Sequence, residues 1–305
     1  MAGAVASAAA QTLAELEIIV VVDGADPETE AVLATLDDPR LRVIVIAESG
    51  GAQAARNRGI REAHAEFVAL LDDDDLWLPT KLERQVEAIR ASGVAEPIAF
   101  CARLVRMPDG RDIAWRDRAP GPGEHVSEYL FVRRSLRLGE STVSTSTIVA
   151  RRSLFHAIPF APDSHRFNDG DWVLRAAAAG AQLVYLPQRL AIWRAPIDGR
   201  SITGRHAANW REGLAWIRDH RELVTPRAYA AFLLVRVAAM ADRAGEPVAA
   251  RIIWREARRH GRPGVFDVIL FTGRWIVPAR LRTAIRARFA TASVEDDRAI
   301  DQGAG

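Results

Sequence analysis

Three times in the first 93 residues an apolar run gives way to a polar break and then to a stretch with helical spacing, and a fourth apolar run follows. The runs are EIIVVVDG (17–24), LRVIVIAE (41–48), EFVALLD (66–72) and PIAFCARLVRM (97–107). Between them lie PETEAVLATLDD, GGAQAARNRGIREAHA and LPTKLERQVEAIRASG. The intervening stretches carry helix punctuation. Asp26 is a candidate N-cap before Pro27, and two glycines open the second stretch. In the third, Leu82, Val86 and Ile89 repeat at i, i+4, i+7 and stop before Gly93. Such alternation predicts an α/β fold built on a mostly parallel sheet with helices on both faces. Ligands bind such sheets at the carboxyl ends of the strands. Three runs end there in polar or small residues: Asp23-Gly24, Glu48-Ser49-Gly50-Gly51, and Asp72 to Asp75.

The third ending, FVALLDDDDLWLP (67–79), sets four mutually repelling carboxylates side by side. A solvated loop is the plain reading. Against it, the run follows a strand-like segment directly and precedes Leu76-Trp77. An EF-hand loop is excluded, because it needs spaced ligands, a glycine at its sixth position and a late glutamate. Asp72 and Asp74, one residue apart on an extended end, are expected to point the same way. They form a candidate site for a divalent ion with positions left for phosphate oxygens. A metal so held stabilises charge on a departing diphosphate. Asp73 is expected to face away.

Beyond residue 107 the pattern loosens. Residues 107–140 read as loop, TSTIVAR and AQLVYLPQRLAIWR as later strands, and HRFNDGDWVLRAAAAG as a polar entry to a short helix. From about 205 the spacing is helical. The expected organisation is one domain over 1–204, a helical extension over 205–290 and a disordered acidic tail over 291–305. Hydrophobic residues at 49% and charged residues at 26% fit a globular chain rather than a disordered one. No apolar run reaches the roughly 18–20 residues that span a bilayer. The N-terminal MAGAVASAAAQTLAELE lacks the basic region of a signal peptide. The single cysteine, Cys101, excludes an internal disulfide framework and fits a reducing compartment, so a cytoplasmic location is expected. A net charge of +2 does not ask for nucleic acid. Yet between Arg251 and Arg288 ten arginines stand against Glu256 and Asp267. GVFDVILFTGRWIVPARLRTAIRARF mixes apolar and aromatic residues with arginine, as interfacial helices do. The plainer reading is a helical cap on the preceding domain with a solvated arginine face. The sharper alternative is peripheral contact with the cytoplasmic membrane face through these basic C-terminal helices.

EIIVVVDG, GGAQAARNRGI, EFVALLDDDDLWLPTKLERQV and NDGDWVLRAAAAGAQLVYLPQRLAIWR stand in the order found in family 2 glycosyltransferases of the GT-A fold. Over residues 4–195 the chain resembles that family. The resemblance implies an inverting, metal-dependent glycosyltransferase using Mn²⁺ or Mg²⁺. It would move a sugar from a nucleotide-diphosphate donor to a hydroxyl of a glycan or lipid-linked acceptor, in polysaccharide or glycoconjugate biosynthesis. It places Asp23 near the donor's base and ribose, Arg56 and Asn57 along the nucleotide pocket, and Asp72 and Asp74 on the metal and diphosphate. Asp75 matches the family's adjacent acid, which supports that pair. Asp169 matches the general base, which takes the acceptor's proton. Asp171 competes with it two residues on, and Arg175 is placed to pair with either acid. From the residues alone, Arg56 also reads as a surface-helix arginine and Asp169 as a helix N-cap.

The chain departs from the family pattern in several places. Val22 stands where an aspartate is expected, Ala25 where a serine is, and Asn168 where a glutamate is. His206 is the weak match to a histidine that follows the last strand in the family. The family's first strand, with its Pro-Thr-Tyr-like end, would precede residue 4. The sequence is therefore expected to start at an internal methionine or to be a truncated relative. These departures favour, as the alternative, a catalytically degenerate GT-A-like nucleotide-binding protein. A nucleotidyltransferase is the third reading, although no glycine-rich basic triphosphate loop opens the sequence.

Overall fold

The computed structural model describes residues 1–115, 117–135, 141–162, 167–194 and 209–277. The chain divides into two compact units, one of Met1–Trp115 with Val143–Ala195, the other of Arg116–Thr142 with Pro196–Gly305. The boundary expected near residue 204 and the tail expected over 291–305 lie outside the described residues, as does His206.

In chain order the elements are α1 (Ala2–Ala9), β1 (Ile18–Asp23), α2 (Pro27–Ala34), β2 (Leu41–Ile46), α3 (Ala52–Glu62), β3 (Phe67–Ala69), β4 (Leu76–Trp77) and α4 (Lys81–Ser92). Then follow β5 (Pro97–Arg106), β6 (Asp112–Ala114), α5 (Val126–Phe131), β7 (Val149–Arg151), α6 (Arg152–Ala157), α7 (Asn168–Ala178) and β8 (Gln182–Arg194). Local chemistry explains several boundaries. Asp26 caps α2 by accepting from Thr29 N at 3.1 Å, with Pro27 behind it. Gly51 precedes α3 at φ +84°, a conformation that a side chain would strain. Along β1 the burial alternates, so Ile18, Val20 and Val22 enter the apolar core while Asp23 ends the strand. Val22 is thus a core residue, and β1 brings one acid to its polar end.

β1 and β2 form a parallel pair of their own. The larger sheet has six strands in the order β3-β7-β5-β8-β4, with β6 paired to β5. The α/β class stands, but the pairing is mixed rather than mostly parallel. Among the described residues of the larger sheet only β5 and β8 run parallel, and the other ladders are antiparallel. The strand–helix alternation that dictates parallel pairing stops at β5. β6 then returns on β5 through the Pro-Asp-Gly turn, where Met107 O accepts from Gly110 N at 2.9 Å. β5 is buried on both faces, as a central strand must be. The β5–β8 register slips where Cys101 pairs Leu186 and Ala102 pairs Arg189. Pro187, which has no N–H to give the ladder, falls in that gap. TSTIVAR is only partly a strand: Thr145–Thr147 is a 3₁₀ turn and β7 follows it. The segment read as loop, 107–140, holds β6 and α5.

The second unit joins α5 to α8 (Trp210–Asp219), α9 (Pro226–Ala231), α10 (Ala238–Arg243), α11 (Ala249–His260) and α12 (Val265–Ile276). A π-helical turn, Phe232–Val237, links α9 to α10. Thr225 caps α9 by accepting from Ala228 N at 3.1 Å. Phe131, Trp216 and Phe232 form a ring cluster with centroids 5.0–6.1 Å apart. Among the described residues no helix is long and apolar enough to cross a membrane.

Candidate functional site

The aspartate run is a turn. β3 ends at Ala69, and Asp75 N–H donates to Asp72 O at 3.1 Å, closing a four-residue β-turn. Asp72 and Asp74 therefore do not lie on an extended end, and their relation is set by the turn. The turn sorts the carboxylates. Asp73 and Asp74 are exposed, whereas Asp75 is 4% exposed. Asp75 accepts from Ser146 Oγ at 2.5 Å and from Arg194 N at 3.3 Å. Burial, with help from Asp72 and Asp74, pushes its pKa up to about 7 against the pull of these bonds. Asp74 is also raised, first by partial desolvation and then by the charges of Asp72 and Asp73.

Arg56 meets this turn from α3. A Cβ on Gly59 would stand 3.4 Å from Val21 Cγ2, so glycine there lets α3 lie close on β1. Arg56 Nη2 donates to Asp72 Oδ1 at 2.7 Å, and the guanidinium carbon lies 5.6 Å from the Phe160 ring centroid. Its Nη1 is buried with no hydrogen-bond partner among the described residues. Burial opposes the charge of Arg56, but Asp72 and Asp169 outweigh it and hold the pKa above the ordinary arginine value. A solvated surface arginine is excluded by this enclosure.

Asp169 sits in the first turn of α7 without capping it. Its Oδ2 accepts from Thr145 N at 3.0 Å, and its Oδ1 accepts from the Thr145 hydroxyl. One lone pair remains on each oxygen. Burial raises its pKa and Asp72 adds to that, while Arg56 and the Thr145 bonds oppose it. Asp171 is buried elsewhere, paired with Arg175 at 2.7 Å, so Arg175 serves that acid.

The other expected residues act as braces. Asn57 donates to Phe160 O at 2.8 Å and accepts from Phe160 N at 2.9 Å, which occupies both ends of its amide. Asp23 accepts from Ser49 Oγ, Gly50 N and Gly51 N, each at 2.8 Å, tying the end of β1 to the start of α3. The structure thus brings Arg56, Asp72 and Asp169 together. Asn57 and Asp23 hold the backbone from which Arg56 reaches. Sequence reasoning missed Thr145, Ser146, Phe160 and Trp172. Trp172 stacks on Phe155 at 4.5 Å and on Phe160 at 5.6 Å, and donates to Ile158 O at 2.7 Å. Phe160 in turn backs Arg56. The signal for Trp172 was a tryptophan in the apolar stripe of a helix beginning with acids.

Among the described residues no cluster of three or more histidines, cysteines or acids gathers as a metal site. The donors nevertheless suit a hard divalent cation, since Asp72 and Asp74 offer carboxylate oxygens and leave other positions to phosphate. A cation there would also relieve the repulsion that raises Asp74.

Comparison with known proteins gives a consistent result. The model of the family described as Glycosyl transferase family 2 matches residues 1–158. Succinoglycan biosynthesis protein ExoO of Rhizobium meliloti (strain 1021) is 39% identical over 134 residues, covering 42% of this chain and 38% of its own. ExoU, the succinoglycan biosynthesis protein of the same organism, is 31% identical over 217 residues, covering 68% of this chain and 60% of its own. The chain therefore spans less than two thirds of the length of these curated relatives. Among solved structures, S. aureus TarS 1–349 is similar over 90% of this chain and 86% of its own, with 17% identity and a TM-score of 0.50. That likeness shows the GT-A-like fold.

Proposed function

The chain belongs to glycosyl transferase family 2, and on that premise we propose that it moves a sugar from a nucleotide-diphosphate donor to an acceptor hydroxyl, with inversion, in polysaccharide or glycoconjugate assembly. One observation carries the reading. Arg56 is clamped beside Asp72 and Asp169, and its buried Nη1 has no hydrogen-bond partner among the described residues. A donor without an acceptor in an enclosed site is costly unless a ligand completes it. A diphosphate oxygen would do so. The names ExoO and ExoU place those relatives in succinoglycan biosynthesis, which supports a glycan or lipid-linked acceptor here.

In this reading Asp169 accepts the acceptor's proton as its oxygen attacks the anomeric carbon and the bond to the diphosphate breaks on the opposite face. A single displacement inverts the configuration. Arg56 takes up part of the charge on the leaving diphosphate. Asp72 and Asp74 would hold Mn²⁺ or Mg²⁺, which when bound offsets the rest of that charge. The test is hydrolysis of a panel of nucleotide sugars with Mn²⁺, by wild type and Asp74→Ala. Wild type is expected to turn over at least one of them, and Asp74→Ala to lose at least about tenfold of that rate. Equal rates with and without metal, or in both proteins, would defeat the metal assignment. A second reading is a nucleotide-binding protein without turnover. The engagement of Asp23 with Ser49, Gly50 and Gly51 and of Asn57 with Phe160 favours it. Binding of the panel without hydrolysis would establish it.

The reading extends to a cytoplasmic protein resting on an anionic membrane surface. Exposed Arg251, Arg255, Arg258 and Arg259 share one face of α11, and that helix's single acid, Glu256, is taken by Arg218 at 2.7 Å. On α12, Val265 (73% exposed), Ile269 and Ile276 (74%) form an apolar stripe. Trp254 and Phe271 stack at 5.7 Å and hold the two helices together. A second copy placed across a two-fold axis would set arginine face against arginine face. A bilayer of anionic lipid satisfies both the charge and the stripe. The protein is expected to float with vesicles of phosphatidylglycerol and phosphatidylcholine, and to do so less with phosphatidylcholine alone. No lipid-dependent flotation, or a dimer that buries this face, would overturn the assignment.

A further inference from the structure

We propose that the buried 3₁₀ turn Thr145–Ser146–Thr147 is a two-ended positioning device, with Thr145 orienting the base Asp169 and Ser146 orienting the turn Asp72–Asp75. The inference rests on the functional reading above and assigns roles to residues outside its motifs.

The turn is buried, each of its residues being 2% exposed. It is fixed from behind: Trp77 Nε1 donates to Ser146 O at 2.7 Å, and Gln85 Nε2 donates to Thr147 O at 2.8 Å. It is also closed on itself, Thr147 N donating to Ser144 O at 2.9 Å. From this anchored turn two neighbouring side chains reach in different directions. Thr145 holds Asp169 by backbone N–H and hydroxyl together, which fixes the plane of the carboxylate as well as its place. Ser146 Oγ donates to Asp75 Oδ2 at 2.5 Å and accepts from Asp72 N at 3.1 Å, spanning the first and last residues of the aspartate turn. A serine hydroxyl has one proton to give and lone pairs to accept, so both bonds are made at once. The base and the diphosphate-binding acids are thereby held by adjacent residues of one rigid segment. The distance between them is then set by the backbone between neighbouring residues and one layer of hydrogen bonds on either side. A loop that bound either acid alone would leave that distance free. Displacements of about 1 Å in such a pair are worth roughly 10²-fold in rate.

The two ends are expected to separate in kinetics. Thr145→Val keeps shape and volume but gives Asp169 no hydroxyl. With the nucleotide sugar that wild type hydrolyses fastest in the panel, it is expected to lower kcat by roughly 10²-fold and leave donor KM unchanged. Thr145→Ser should restore most of kcat. Ser146→Ala is expected to weaken Mn²⁺ binding by roughly tenfold, read from the free-ion EPR signal without any donor, and to raise donor KM. Circular dichroism and melting of each variant identify any that fail to fold. A crystal structure of Thr145→Val supplies a readout that needs no turnover. Asp169 unmoved there, wild-type kcat in that variant, or no rescue by serine would overturn the role of Thr145. Unchanged Mn²⁺ binding in a folded Ser146→Ala would overturn the role of Ser146. Full activity of Asp169→Asn would instead remove the base assignment itself. A dead Asp169→Asn beside a fully active Thr145→Val would remove only the device.

Discussion

Asp169→Asn is expected to reduce turnover of the best nucleotide sugar by roughly 10²–10⁴-fold, the usual worth of a positioned general base. Asparagine keeps the outline of the side chain and can still accept from Thr145, but it cannot take a proton. Donor KM should change little, because the donor's diphosphate is expected to meet Arg56, Asp72 and Asp74. The wild-type pH profile gives an independent check. Burial and Asp72 raise the pKa of Asp169. As pH falls through that raised value the carboxylate gains a proton and ceases to be a base. The acid limb of kcat/KM should therefore lie above the ordinary carboxylate range, with activity lost below it and retained above it. A profile flat down to the ordinary aspartate range, or an active Asp169→Asn, would place the base elsewhere.

Trp172→Ala should cost about 3–5 kcal/mol of stability, the range for emptying a buried aromatic site. Trp172 is 0% exposed and carries a three-ring stack with Phe155 and Phe160. It also gives Ile158 O its partner, so alanine leaves a cavity and an unmatched carbonyl together. The urea midpoint measures the loss. The variant has a second expected effect, below its own transition. Phe160 supports Arg56 from the ring side and clips to Asn57 on the backbone side. Loosening Phe160 should raise donor KM before it melts the fold. Trp172→Phe keeps most of the stack and should lose less of both. A midpoint within error of wild type would mean that the stack bears little of the unit's stability.

Most of the strands and helices through β5 were legible because their hydrophobic periods are long and their punctuation strong. Asp26, Pro27, Gly51 and Gly93 stand at helix ends in the structure as the sequence suggested. Strand direction in the larger sheet was not legible. It depends on how β4, β6 and β7 return, and those strands have only two or three residues each. The acids of the site were legible as residue types in a run, but their geometry was not. A β-turn and an extended end share the same four aspartates, and the difference lies in one backbone bond. Asn57 illustrates a further limit. A side-chain amide suits a nucleotide or a neighbouring backbone equally, and the choice depends on Phe160, 103 residues away. Thr145 and Ser146 left no signal at all. Hydroxyl residues are common, and their partners lie 24 and 71 residues away in sequence.

The pairing of β1 with β2 alone bears on how the site can move. Among the described residues no ladder joins this ribbon to the six-stranded sheet. Apolar packing and polar ties such as the Glu17 carboxylate, which accepts from His64 N and Ala65 N, connect it instead. Packing against a face resists sliding far less than a ladder resists shear. Arg56 rides on α3, against the ribbon, whereas Thr145 and Asp169 belong to segments around the large sheet. α3 therefore meets the segments around the larger sheet through side-chain bonds, Arg56 with Asp72 and Asn57 with Phe160. Breaking those few bonds would let α3 shift while every ladder in the larger sheet stays intact.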